Sequence, residues 1–296
     1  MGTMNFWMCF AGLVFLAAGI VIQRKEIAAA RGLEKLIALR AVLIAASLAA
    51  FAPEHFQPPA IARAMVPSWM PGHGWWAWFV GCALLAAAIS LTLRKFERLS
   101  CTLLGLMLLL FVCMVHVPNV VADPHNRTAW TCIFRDSSFA AGALALAGVC
   151  SRSASPRQAR AMILFGQVVL AVAAVFYGIE TFLHLKFAPG VPLELKTPAW
   201  VPLPSVWGGI SGTILLVAGL ALALNKKPRT AAAAIGALMT ACTVFLYLPM
   251  LVIARNGSAG DVTVAINYVA DTLLAAGAAL AVASAMRVNS GQSEKE

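Results

Sequence analysis

Nine stretches of 18 to 24 consecutive, mostly apolar residues dominate the chain: 5–22, 36–53, 75–93, 99–117, 131–150, 161–184, 206–224, 231–251 and 263–286. Crossing about 30 Å of hydrocarbon at about 1.5 Å per residue takes about 20 apolar residues, so each stretch is long enough to span a bilayer. A backbone in lipid must satisfy its own hydrogen bonds, and no stretch alternates with the period of a strand, so the spans are predicted to be helices. Hydrophobic residues make up 61% of the sequence and charged residues 11%, which excludes an ordinary water-soluble domain. The expected fold class is an all-α transmembrane bundle of about nine helices.

The basic residues give the predicted orientation. Of the 22 Lys and Arg residues, 16 fall on the face that holds the 22–36, 94–98, 150–160 and 225–230 connections and the C-terminal tail. The other face holds 6: Arg63, Arg127, Arg135, Lys186, Lys196 and Arg255. The positive-inside rule makes the richer face cytoplasmic, with the N-terminus outside and the C-terminus inside, in an inner membrane. This bias accounts for the net charge of +10 through contact with lipid headgroups, and no nucleic-acid partner is inferred. The first apolar run lacks a basic leader and a small-residue cleavage site, and is read as an uncleaved span.

The halves of the chain resemble each other. Residues 76–118 align without a gap on 207–249, pairing Trp76 with Trp207, Gly81 with Gly212, Lys95 with Lys226, Gly105 with Gly236 and Pro118 with Pro249. Glu54 pairs with Glu180 at an offset of 126, and Asp136–Gly142 with Asp271–Gly277 at an offset of 135. The expected organisation is an extra N-terminal helix with its basic loop (1–35), two four-helix units (36–150 and 161–286) in parallel orientation, and a tail (287–296).

Ionisable residues inside spans are costly and face the bundle interior or water, so they mark candidate sites. Asp136 and Asp271 lie inside apolar helices, and Asn267 is one turn from Asp271 on the same face. Tyr177, Glu180 and His184 share one stripe near the outer end of their span, and Glu54-His55 closes another. The predicted polar pocket therefore comprises Glu54, His55, Asp136, Tyr177, Glu180, His184 and Asp271, open to the extracytoplasmic side. The competing reading is structural, with the same groups pinning helices together by hydrogen bonds of about 0.6 kcal/mol each.

Other chemistries find little footing. The five histidines and seven cysteines form no H-x-x-x-H, C-x-x-C or mixed cluster, so no metal is assigned and thiol redox chemistry is disfavoured. No phosphate-binding glycine loop is present, which removes nucleotide-driven work.

Several motifs together resemble the DoxX-like family of bacterial membrane proteins. They are Glu54-His55-Phe56, the outer segment Phe187–Glu194 followed by Thr197-Pro198-Ala199-Trp200-Val201-Pro202, the helix ends His116-Val117-Pro118 and Tyr247-Leu248-Pro249, and the pattern Asp136–Gly142. The resemblance covers both halves, so the chain looks like a tandem duplication of the family's four-helix unit, with Thr181 where the first half has His55. It implies a membrane-embedded accessory or quinone-interacting subunit of a redox system, with redox proteins as partners and quinone as the implied ligand. A small-solute or proton-coupled transporter and a non-catalytic scaffold stand as alternatives, and no reaction is assigned.

Overall fold

The structure is a computed structural model that describes residues 2–57, 66–150, 155–189 and 195–293, with side chains described as far as Met286. Residues 190–194 of the outer segment quoted above, the basic residues Arg63, Arg152 and Lys295, and the end of the tail lie outside the described residues. Among the described residues the chain is helical, apart from a single antiparallel bridge between Phe187 and Lys196.

Eleven helices follow in order: α1 (Thr3–Ile22), α2 (Arg24–Ala29), α3 (Leu33–Ala38), α4 (Arg40–Phe51), α5 (His73–Leu93), α6 (Glu97–Ala122), α7 (Arg127–Val149), α8 (Pro156–Leu183), α9 (Pro204–Ala223), α10 (Pro228–Ala254) and α11 (Ala259–Ser293). Eight of them are long and apolar enough to cross a membrane, so this is a multi-pass membrane protein. The ninth expected span, 36–53, is divided at Leu39 into α3 and α4, and a 3-10 turn over Ala52–Phe56 extends it. The break has a polar cause. The Arg40 guanidinium donates to the Ile37 carbonyl at 3.1 Å and pairs with Glu26 at 3.2 Å, which anchors the start of α4 to α2. From there α4 runs through the interior, and every residue from Ala41 to Ala50 is buried.

The helix ends fall on two faces in the alternation that nine passes require. On one face the Asn5 amide donates to the Ala259 carbonyl at 2.8 Å, and Arg127 pairs with Glu180 at 2.7 Å. On the other, Arg94 pairs with Glu97 at 3.0 Å, and Arg229 pairs with Glu34.

Helices α7 and α11 form the centre. Their small faces, Ala140–Ala147 and Ala276–Ala283, are almost wholly buried, because alanine and glycine let two backbones approach without a hydrophobic driving force. The approach is closest at Gly142, where a Cβ would stand 2.3 Å from the Cα of Ala278. Around this pair α4, α5 and α6 occupy one flank, and α8, α9 and α10 the other. The two groups of four interlock, since α4 packs on α11 and α8 packs on α7. Helix α1 lies outside them against α4.

The same contacts recur in both halves. Gly81 faces Phe56, and Gly212 faces Phe182. Gly105 receives the Leu144 side chain beside the Ala140 carbonyl, and Gly236 receives Leu280 beside the Ala276 carbonyl. A π-helical turn interrupts α6 at Val112–His116, and another interrupts α10 at Thr243–Tyr247, each preceding the proline pair by one residue. Across α7 and α11 these contacts, like Gly142 against Ala278, relate residues 136 apart. The sequence match of Asp136–Gly142 to Asp271–Gly277 is therefore one residue out of packing register. Alanine-rich helices slide easily in alignment, whereas a leucine seated on a glycine fixes the register. In that register Asp271 corresponds to Arg135.

Candidate functional site

Three local devices aim polar groups into the first half. Pro53 helps turn the end of α4 into a 3-10 turn, which presents Glu54 and His55 just beyond the span. In α6 the Val117 N–H reaches back to the Val112 carbonyl, widening the turn that carries His116. The following Pro118 explains the widening: its ring clashes with an α-helical carbonyl four residues earlier, and it has no N–H to offer. Finally, Asn126 caps α7, its side chain accepting the Ala129 N–H at 3.1 Å, and sets the register that points Arg135 and Asp136 inward.

These groups form one connected cluster. The Arg135 guanidinium donates through Nε to Asp136 Oδ1 at 2.7 Å and through Nη1 to Asp271 Oδ2 at 3.4 Å. His116 Nε2 donates to the other Asp136 oxygen at 2.8 Å. One turn above Asp271, the Asn267 amide donates to Glu54 Oε1 at 2.9 Å. His55 Nδ1 donates to the Phe51 carbonyl at 3.1 Å. The Asn267 Oδ1 atom is buried and receives no hydrogen bond from the protein.

A cavity of about 390 Å³ lies among them, lined by Glu54, His55, Arg135, Asp136, Asn267 and Asp271 over an apolar floor. Beside it is an apolar pocket of about 420 Å³ with Met70, Trp76, Met107, Phe111 and Met114 in its wall. The two share His55, Phe111, Arg135 and Asp136. Phe79 and Leu110 also border the apolar pocket and are half exposed on the outer surface of the helices, so this pocket adjoins lipid.

Charge and depth define what the cavity can hold. Three carboxylates face one guanidinium. Burial pushes the Glu54 carboxyl up, partly offset by the bond from Asn267, and burial pushes the His55 imidazole down, partly offset by its bond to Phe51. Asp136 is nine residues into α7 and Asp271 twelve into α11. At about 1.5 Å per residue, these acids lie about 13–18 Å along their helices from the N-terminal ends.

The predicted residues divide into two groups. Glu54, His55, Asp136 and Asp271 meet at the cavity. Tyr177 does not join them: its hydroxyl donates to the Thr131 carbonyl at 2.6 Å, and its ring borders a small cavity of about 40 Å³ in the second half. Glu180 and His184 stand together at the C-terminal end of α8, with Glu180 on Arg127 at 2.7 Å and His184 at 3.8 Å from the same carboxylate. The Arg127 guanidinium also sits 4.7 Å from the centre of the Phe187 ring. Arg135, His116 and Arg127 fall outside the predicted set although each holds one of its acids. For Arg135 a signal existed, since an Arg-Asp pair inside an apolar helix is rarely tolerated without a partner. Among the described residues no group of His, Cys, Asp and Glu is arranged to hold a metal ion.

No protein-family model, curated protein or solved structure matches this chain.

Proposed function

We propose that this is an inner-membrane protein of the DoxX-like type, built from two tandem copies of a four-helix unit, that receives a membrane-soluble amphiphile of the quinone class in its first half. The carrying observation is that a charged cavity and a lipid-adjoining apolar pocket meet at the same four residues, His55, Phe111, Arg135 and Asp136. A polar head fits the first and an apolar tail the second. In this reading the carboxylates hold or pass protons, His55 and Arg135 orient the head, and the protein serves as a quinone-interacting subunit beside redox partners. The recurring glycine contacts and paired π turns support the duplication. The basic bias supports an N-out, C-in orientation.

Among the described residues, the equivalent place in the second half is filled. At an offset of 126, Tyr177 stands for Phe51 and Thr181 for His55, and the remaining space is about 40 Å³. Binding of one amphiphile per chain follows.

The test is titration of a short-chain quinone, in both redox states, into the purified protein in lipid nanodiscs, with quenching of Trp76 as the readout. Saturable binding at one site, weakened about ten-fold by His55→Thr, is expected. Partitioning indistinguishable from empty nanodiscs in both states overturns the reading.

One observation favours a second reading, a small-solute or proton-coupled transporter. The acid cluster lies well inside its helices and beside an interrupted helix, an arrangement that transporter sites share. Uptake of a proton-coupled solute into proteoliposomes, lost in Asp271→Asn, would favour it over the first.

A further inference from the structure

The hydrogen-bonding groups around the large cavity are strongly unbalanced. Count the donors first. His116 Nε2 is committed to Asp136, and the Asn267 amide to Glu54. Arg135 is committed through Nε to Asp136 and through Nη1 to Asp271. The rest of its fork is the remaining charged donor among the residues of this cluster, and Tyr268, which carries a hydroxyl, also lines the cavity. The acceptors are more numerous. Asn267 Oδ1 is buried and receives no donor. That orientation follows from an ionised Glu54, whose carboxylate takes the nitrogen of the same amide. Glu54 has a second oxygen, and Asp271 is engaged at one oxygen by a long contact of 3.4 Å. His55 donates through Nδ1 to Phe51, so in its neutral form Nε2 offers a lone pair. Burial keeps that neutral form favoured.

A quinone head presents carbonyl oxygens, which are acceptors. Set against Glu54, Asn267 Oδ1 and Asp271, it leaves buried acceptors facing acceptors, the arrangement that costs most in a dry site. A hydroquinone presents hydroxyl groups, which donate. We propose that this cavity selects the hydrogen-bond-donating, reduced form of its ligand, a quinol, over the corresponding quinone. One hydroxyl meets the Glu54 and Asn267 pair, and the remaining Arg135 N–H groups orient the ring from the other side. The inference rests on the quinone-class reading above.

The experiment titrates decylquinol, held reduced without oxygen, and decylquinone separately into the full-length protein in nanodiscs. The expected result is a quinol dissociation constant at least ten-fold lower than that of the quinone. Asn267→Leu, which removes the unpaired acceptor, and the milder Glu54→Gln should each narrow that gap, and circular dichroism and thermal melting identify any variant that fails to fold. Equal binding of the two forms, or tighter binding of the quinone, overturns this inference and leaves the quinone-class reading standing. Binding of neither form overturns the reading itself. A cationic alkylamine, another donor-headed amphiphile, serves as a third ligand: if it outcompetes quinol, the selection for a quinol is overturned as well.

Discussion

Arg135 and Asp271 meet at 3.4 Å across the line where the last helix of each half packs on the other. They occupy corresponding positions in the packing register, so one position carries a cation in the first half and an anion in the second. Asp136 shares the same guanidinium at 2.7 Å. Removing one partner of a buried ion pair is far costlier than the pair is worth, because the orphaned charge stays buried. Arg135→Gln strands Asp271, leaves Asp136 with His116 alone and should cost about 3–5 kcal/mol. Loss of folded protein on thermal melting in detergent checks it. A melting point unchanged from the parent would mean that water, not Arg135, stabilises these acids.

Asp271→Asn should behave differently. Arg135 retains Asp136, the shape is kept, and one of three carboxylates facing a single guanidinium is removed. Stability should therefore hold within about 1 kcal/mol, while quinol affinity falls about ten-fold. The discriminating control is Asp271→Leu. If it folds normally and both variants bind ligand as the parent does, this acid serves packing and not the site.

The sequence made the membrane class, the helical spans and the inward-facing acids legible, because each follows from a local rule of length, composition or charge cost. It was less informative about partners. Glu180 is as acidic and as near the outer end as Glu54, yet it is neutralised by Arg127 from the neighbouring helix. Nothing within α8 announces that. Depth was also hidden. Asp136 and Asp271 lie near the starts of their apolar runs, but the helices begin earlier, at Arg127 and Ala259, so each acid sits further into its helix than hydropathy places it. The correspondence of α7 with α11 rests on the leucine that each seats on a glycine of its neighbour, Leu144 on Gly105 and Leu280 on Gly236, in an alanine-rich background that sequence comparison alone cannot weigh.

Gly142 is the tightest point of that central contact. A Cβ there meets Ala278 backbone at 2.3 Å, and backbone cannot rotate aside. Gly142→Val should force α7 and α11 apart and destabilise the protein by about 1–3 kcal/mol or more. Because the cavity lies one to two turns above, ligand binding should weaken as well. Melting temperature and titration on the same preparation check both effects.

The orientation can be checked without any ligand. Topology reporters fused after Arg98, Arg160 and Arg229 should all report the cytoplasm, since these follow the basic connections. A periplasmic signal at any of the three contradicts the N-out arrangement.

The pH response isolates His55. Its folded-state value lies below the ordinary 6.5, so protonation favours the unfolded chain. Its contribution to stability is present above about pH 6.5 and is lost as pH falls through the lowered value. Glu54 acts in the opposite sense: its raised carboxyl gives a contribution present below the ordinary 4.5 and lost as pH rises through the raised value. A single melting curve mixes the two. The difference between the parent and His55→Thr does not, and it should shrink as pH is lowered from 7 to 5. A difference that stays constant over that range contradicts a neutral, buried His55.

Pro118 connects the backbone to the chemistry. Its missing N–H and its ring force the π turn at Val112–His116, and that turn rotates His116 onto Asp136 at 2.8 Å. Pro118→Ala restores the donor and lets α6 continue as a regular helix. One residue fewer in the widened turn rotates everything beyond it by about 100°, which carries His116 away from the cavity. Stability should rise or stay level, because a backbone hydrogen bond is regained, while ligand binding should fall as Asp136 loses its second partner. The corresponding change in the second half, Pro249→Ala, should leave binding untouched, since Tyr247 there reaches the Pro189 carbonyl at 2.6 Å and not an acid. Titration of the two variants side by side separates a turn built for the site from one that both halves carry for packing alone: equal losses from both would assign the π turns to the fold.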